Sequence, residues 1–441
     1  MIVSEAFAGK RYAVLGLARS GLATVETLVA SGARVVAWDS REEARALVEG
    51  KAELGDPMEI DLSGFDGIVV SPGVPLNRHP IAMRAKIAGV PVIGDIELFA
   101  LARPTLPPHK VVGITGTNGK STTTALIHHI IEQAGFPTVM GGNIGLPILS
   151  QPPLEPNLHG VGVYVLELSS YQIDLTRSLD CDVAVLLNIT PDHLDRYDGF
   201  EGYVASKARL FAMQSTEHVA VIAVEDSASR IIASDTAAPL KAVHSRDIDP
   251  VAQLTWPALQ GPHNAQNAAV AIAVATALDI DPDTIDNALA SYASLPHRMQ
   301  AVGTHNGVLY VNDSKATNAA STAPALAAWP AKDGKPRIHW ILGGVAKSDN
   351  LDECVPHFGN IAHAYTIGEA GHMFADLLRP HMAVDDSEML SAAVRRAARI
   401  AQPGDVVLLS PACASFDQFR DFEARGDAFA AAVAALGSTG D

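Results

Sequence analysis

Cysteine is scarce. Cys181, Cys354 and Cys413 are the three in 441 residues, far apart and in no CxxC spacing. Neither a disulfide framework nor a thiolate zinc site is indicated, and a reducing compartment is expected. No apolar run approaches the length of a membrane span. The N-terminus MIVSEAFAGKRYAVLG lacks the basic-then-apolar pattern with a small-residue cleavage site that marks a secretory signal. The chain is therefore expected to be cytoplasmic, with no membrane span. Clustered positive charge is missing too: the net charge is -17 and no Lys/Arg run occurs. That argues against a nucleic-acid partner, whose phosphate backbone needs clustered cations. A small anionic substrate stays open, because local donors and a bound cation hold phosphates inside acidic proteins.

Aromatics are few at 5%, yet apolar residues make up 48% and glycine and alanine are abundant. This is the composition of an α/β enzyme with tight turns. At roughly 150 residues per domain the length suggests about three domains. The first block reads as strand (residues 12–15), Gly-rich turn, helix (about 22–30), a stopping Gly32 and a second strand (34–38), with a further strand at 67–70 ending in Ser71-Pro72-Gly73. Residues 102–109 carry Pro104, Pro107 and Pro108 and cannot be a central strand or helix interior, so the first domain boundary is placed there. A second start follows: a strand at 110–115, a Gly-rich loop, and a helix over 120–134 stopped by Gly135 and Pro137. Strands at 162–166, 182–187 and 218–224 continue this larger α/β domain. An Ala-rich helix over 264–278 leads to a second boundary near 295–298, and strands at 308–312, 337–342, 363–367 and 405–410 form a third α/β unit.

The strongest local signal is the strand-loop-helix at 111–134, with the loop Gly116-Thr117-Asn118-Gly119-Lys120-Ser121 followed by Thr122. Converging backbone N–H groups and a helix N-terminus suit phosphate oxygens, a lysine reaches the outer phosphates, and the following hydroxyl suits Mg²⁺. Ile114 stands where the strict pattern has its first glycine. The earlier run Gly16-x-Ala18-x-x-Gly21, with Asp39 after the next strand, resembles a dinucleotide fingerprint with its middle glycine replaced. NAD, another nucleotide and a structural turn all remain open there. Glu167 and His193 fall at strand C-terminal ends, where open parallel sheets bind ligands. Each reads either as a metal ligand or as an ordinary end group, a solvated carboxylate or a helix cap. Lys207, on an amphipathic stretch, reads by itself as a surface lysine. Lys315 follows a strand among several donors and acceptors, and Thr317 or Asn318 reads as a cap of the next helix.

Taken in order, GITGTNGKS (113–121), GGNIG (141–145), LELSSYQ (166–172), DHLDRY (192–197), GPHNAQN (261–267), LPHR (295–298) and NDSKATN (312–318) resemble the Mur ligase family, ATP-dependent enzymes of peptidoglycan precursor synthesis. The loop LGLARSG, the runs SPGV (71–74) and GDIEL (94–98), and the tail SPACASFDQFRDFEARG (410–426) most resemble the branch adding D-glutamate to UDP-N-acetylmuramoyl-L-alanine. No DNPR run, a mark of the diaminopimelate- or lysine-adding branch, is present. The resemblance implies three domains: an N-terminal Rossmann-like UDP-substrate-binding domain (1–103), a central P-loop ATPase-like domain (104–297) and a C-terminal Rossmann-like amino-acid-binding domain (298–441).

The same resemblance implies the site residues. The UDP-substrate would meet Arg19, Ser20, Asp39, Ser40, Arg41, Gly73, Asn143 and His193. ATP would use residues 116–122 with Asn264, Asn267, Arg298 and Asp313. Mg²⁺ would be held by Ser121 and Glu167, and a second ion by His193 and Lys207, the latter carbamylated in this family. D-glutamate would meet Thr317, Lys347, Ser415 and Phe422, and Lys120, Lys207, His193 and Lys315 would be catalytic. A monomer is expected.

Overall fold

The computed structural model describes residues 1–194 and 196–437. Asp195 of the DHLDRY run and residues 438–441, at the end of the expected third domain, lie outside the described residues. Three sheets follow one another along the chain. The first holds β1 (Arg11–Leu15), β2 (Arg34–Trp38), β3 (Glu53–Leu54), β4 (Gly67–Val70) and β5 (Val92–Ile93) in the order β3-β2-β1-β4-β5, all parallel. The second holds β6 (His109–Thr115), β7 (Thr138–Gly142), β8 (Gly162–Glu167), β9 (Val183–Leu186), β10 (Val219–Ala223) and β11 (Leu240–Val243) in the order β11-β10-β9-β6-β8-β7, also all parallel. The third holds β12 (Gln300–His305), β13 (Val308–Asn312), β14 (Ile338–Gly343), β15 (Ile361–Ile367), β16 (Val384–Glu388) and β17 (Val406–Leu409) in the order β12-β13-β17-β14-β15-β16. There β12 alone runs antiparallel.

Central strands are apolar runs because helices cover both faces of a parallel sheet; β8, β9, β14 and β17 are buried at every residue. The chain divides into two compact units, Met1–His244 with Ala269–Ala288, and Ser245–Ala268 with Leu289–Asp441. The first unit contains the first two sheets, and one apolar cluster runs through both, from Ile2 and Phe99 to Leu149, Tyr164 and Ile222. Polar ties add to it: Gly94 N–H donates to the Leu175 carbonyl (3.0 Å), and Glu97 accepts from Arg177 N–H (2.7 Å), Ser178 N–H (3.0 Å) and the Ser178 hydroxyl (2.8 Å). In the second unit, two clusters around Trp340 and Phe429 pack the third sheet.

Most expected elements are present with ends shifted by a residue or two. The first helix begins at Arg19 rather than near 22, because the Leu22 N–H already bonds to the Ala18 carbonyl at 2.9 Å. The expectation missed β7, β11, β12 and β16, all at sheet edges. Gly141 in β7, Val243 in β11 and Ser387 in β16 are the single buried residues of those strands and β12 has none, so none of the four shows the apolar alternation that marks a strand. The short β3 and β5, of two residues each, carry no periodicity at all.

Candidate active site

The Gly-rich loop leaves the C-terminal end of β6, the strand flanked by β8 and β9, where crossovers depart to either side and a crevice opens. Gly116 has φ 151°, and a Cβ there would stand 3.0 Å from the Leu187 Cβ, so both the conformation and the space require glycine. Thr117 N–H donates to the Asn188 carbonyl (2.8 Å), and Asn118 N–H to the Asn188 side-chain oxygen (2.9 Å). Asn188, which the sequence reading missed, thus holds the loop from the end of the neighbouring strand; its one signal is its place at the polar end of the apolar run 183–187. The helix Lys120–Gln133 starts at the loop with Gly119 as its N-cap and Ser121 buried in its first turn.

Two lysines converge on one carbonyl. Lys120 Nζ donates to the Gly116 and Thr117 carbonyls (both 2.9 Å), and Lys207 Nζ donates to the same Gly116 carbonyl (2.8 Å) and to Thr115 Oγ1 (3.4 Å). Lys207 is not a surface lysine: on the helix Gly199–Ala212 it is 1% exposed. Its ammonium lies 4.6 Å from the centroid of the Tyr203 ring, one turn earlier on the same helix. Burial, and then the Lys120 cation, bring its pKa down from 10.5 to about 7.

Glu167 closes β8 and is 2% exposed, which excludes the solvated strand end. One oxygen accepts from the Asn143 amide at 2.9 Å; the other, Oε2, is buried and has no hydrogen-bond partner among the described residues. A carboxylate oxygen stripped of water and unpaired costs folding free energy unless something cationic meets it. Neither Asp192 nor His193 caps a helix, since the next one is capped at Asp198. His193 has φ 52°, is about half exposed, and packs on the Tyr171 ring at 5.2 Å. Among the described residues no group of three or more His, Cys, Asp or Glu side chains is arranged for a metal. The expected ions would therefore rest on the mixed set of Ser121, Glu167, His193 and Lys207, and the unpaired Glu167 oxygen beside the phosphate loop fits that set.

In the first sheet, Asp39 is occupied internally. It accepts from Leu17 N–H (2.7 Å), from Arg41 N–H (3.0 Å) and from Arg41 Nε (3.2 Å). Burial would raise its pKa, but these donors outweigh burial and hold the carboxyl below its ordinary value. Arg19 reaches the Gly145 carbonyl at 2.9 Å, which draws the first loop to the GGNIG run. Ser40, Arg41, Gly73 and Asn143 are exposed and Ser20 half-buried.

The remaining expected residues belong to the second unit. Asn264 and Asn267 are buried, and the Asn267 amide donates to Asn264 Oδ1 at 3.0 Å. Arg298 lies between His297 (φ 63°) and Met299 (φ 47°). Asp313 accepts from Met299 N–H (3.1 Å) and Ser410 Oγ (2.8 Å), and burial pushes its carboxyl up to about 7 despite these donors. Lys347 Nζ donates to Thr317 Oγ1 at 3.1 Å, Lys315 Nζ lies 3.9 Å from the Phe422 ring centroid, and Ser415 is buried. Asn318, not Thr317, caps the helix Ala319–Ala327, through a capping box with Ser321.

A parallel sheet with a phosphate loop at its switch point, an unpaired buried carboxylate and two converging lysines define a nucleotide-using α/β enzyme. Three family models match: the MurD-like N-terminal domain over residues 10–94, the Mur ligase middle domain over 114–256 and the Mur ligase glutamate ligase domain over 297–413. The chain belongs to the Mur ligase family of ATP-dependent ligases. It is similar to the UDP-N-acetylmuramoylalanine–D-glutamate ligase of Novosphingobium aromaticivorans, at 65% identity over 99% of this chain and 97% of that one. The ligases of the same name from Sphingopyxis alaskensis (64%) and Zymomonas mobilis (58%) match over 99% of this chain and 100% of theirs. Among solved structures, UDP-N-acetylmuramate–alanine ligase of Thermotoga maritima shares the fold at 16% identity and a TM-score of 0.56, covering 98% of this chain and 99% of that one.

Proposed function

We infer that the chain joins D-glutamate to UDP-N-acetylmuramoyl-L-alanine at the expense of ATP, through an acyl phosphate on the alanyl carboxylate. The observation that carries this reading is full-length similarity, at 58–65% identity, to three ligases of that name. The geometry supports an ATP-using site at the Gly116–Ser121 loop. A carboxylate is a poor electrophile; transfer of the γ-phosphoryl group to its oxygen expels ADP and makes phosphate the leaving group. The amine of D-glutamate then attacks the carbonyl carbon, the C–N bond forms, phosphate departs and the amine gives up a proton.

In this reading Lys120 leaves the Gly116 and Thr117 carbonyls to neutralise the outer phosphates, while the loop N–H groups that Asn188 does not hold and the helix N-terminus orient them. Asn188 holds the loop in place, and Gly116 allows close approach of the backbone. Ser121 and Glu167 would hold one Mg²⁺, and His193 with Lys207 a second; bound there, the ions would spread the negative charge that builds up between nucleotide and carboxylate. Lys207 would act as a carbamate. Its buried amine faces a carbonyl and a hydroxyl rather than a carboxylate, and joining to CO₂ with loss of two protons would turn a buried cation into an anion suited to a metal. Asp39, Ser40, Arg41 and Gly73 would receive the uridine end, and Thr317, Lys347, Ser415 and Phe422 the amino acid. Phosphate release with UDP-N-acetylmuramoyl-L-alanine and ATP across a panel of amino acids tests the reading. Turnover with D-glutamate alone is expected; turnover with L-amino acids but not D-glutamate overturns it.

A further inference from the structure

Arg425, on the helix Phe422–Leu436, is 1% exposed. All its hydrogen-bond acceptors are neutral. Nε donates to Ser314 Oγ (3.0 Å), one terminal nitrogen donates to the carbonyls of Ser314 (2.9 Å) and Cys413 (3.0 Å), and the other reaches the Gly343 carbonyl (3.4 Å). Burial lowers its pKa to about 10, which leaves it a cation at neutral pH.

A buried charge without a hydrogen-bonded counter-ion is costly, and it survives only where its donors are well used. Here they tie down three loops at once. Ser314 precedes Thr317, Gly343 precedes Lys347, and Cys413 precedes Ser415, each by a few residues. Phe422 lies one turn before Arg425, and its carbonyl accepts the Ser314 hydroxyl at 2.8 Å. Val345 and Ala414 exchange both backbone bonds at 2.9 Å, which binds the second loop to the third. A Cβ on Gly344 would stand 2.2 Å from the Ala414 carbonyl and 3.2 Å from the Arg425 terminal nitrogen, so the loop comes close enough only as glycine.

We propose that Arg425 is the positioning residue of the acceptor site: it fixes the loops carrying Thr317, Lys347 and Ser415 in mutual register for an amino acid with two carboxylates. This rests on the reading of those residues as the D-glutamate site. The diverging donors of a guanidinium reach three loops at once, which the single nitrogen of a lysine cannot do. Arg425→Lys keeps the charge and loses the fork; Arg425→Met loses both.

Steady-state KM values for D-glutamate, ATP and the UDP-substrate, with thermal melts, test this on the full chain and on Arg425→Met, Arg425→Lys and Ser314→Ala. Losing charge-assisted hydrogen bonds raises the expected D-glutamate KM of Arg425→Met by at least about tenfold. Arg425→Lys should fall between it and wild type, Ser314→Ala should shift the same way by less, and the other two KM values should stay within about twofold. A folded Arg425→Met with unchanged D-glutamate KM overturns the proposal, as does an equal rise in all three KM values. If neither Arg425 variant folds, Ser314→Ala decides by the same comparison. Should wild type turn over only another amino acid, the D-glutamate reading fails, and the KM for that amino acid then decides the role of Arg425.

Discussion

Lys120 makes hydrogen bonds to the Gly116 and Thr117 carbonyls of its own loop, and the Gly116 carbonyl keeps its Lys207 donor when the Lys120 amine is removed. Lys120→Ala should therefore melt within a few degrees of wild type while ATP-dependent phosphate release falls by roughly two to three orders of magnitude, the scale for losing one electrostatic stabiliser. A normal rate in the folded variant would remove Lys120 from the phosphates. Lys207→Ala should likewise lose turnover, and short carboxylic acids should restore part of it by standing where the carbamate would; full activity without them contradicts the carbamate. At this scale the sequence was legible unevenly. The phosphate loop announced itself because its chemistry is local: glycines, lysine and hydroxyl are adjacent. Lys207 did not, because its burial comes from β6 and the loop, 91 residues away at Gly116. Nor did Arg425, which falls inside the tail run 410–426 but whose partners lie up to 111 residues distant.

Elements with two buried faces, such as β8 and β17, could be read from continuous apolar runs; those at sheet edges could not, since half-exposed residues carry no pattern. Some helix starts carry a capping side chain, as at Asp226, Asn318 and Asp421, and the LELSSYQ run shows how a motif can serve structure. Ser169 and Gln172 form the capping box of the helix Ser170–Asp174, and Gln172 also bonds to Asp95, at the start of the helix Asp95–Ala102. Asp95 is buried, and burial pushes its carboxyl up to about 6, against the hydrogen bonds that lower it. The sign follows from linkage: the folded state holds the proton more tightly than the unfolded chain, so the contribution of Asp95 is greatest below about pH 4 and is lost as pH rises through about 6. Two pKa units correspond to ~3 kcal/mol. Asp95→Asn keeps an acceptor and cannot ionise. Urea denaturation should show the variant gaining on wild type by roughly that amount between pH 4 and pH 7; parallel stability curves would mean that Asp95 is not desolvated in solution.

Over the whole chain, the two compact units do not follow a single cut, because Ala269–Ala288 belongs with Met1–His244 while Ser245–Ala268 belongs with the third sheet. The sequence pattern gave three α/β blocks, and the three sheets match that number, but the return of a late segment into the first unit has no local signature. The segment contributes a buried face of Val270, Val274, Leu278 and Ile285, and the backbone of Ala288 bonds to His129 on the helix that follows the phosphate loop. Four such side chains, at about 1.5–3 kcal/mol each, amount to most or all of the ~5–15 kcal/mol that keeps a typical domain folded. A fragment ending at residue 244 should therefore melt without a cooperative transition, whereas one ending at residue 288 should unfold cooperatively and bind the UDP-substrate in calorimetry, since Asp39, Arg41, Gly73 and Asn143, which we propose receive that substrate, all lie within it. Equal melting of the two fragments would show that the late segment adds nothing to the first unit, and its apolar face would then need another explanation.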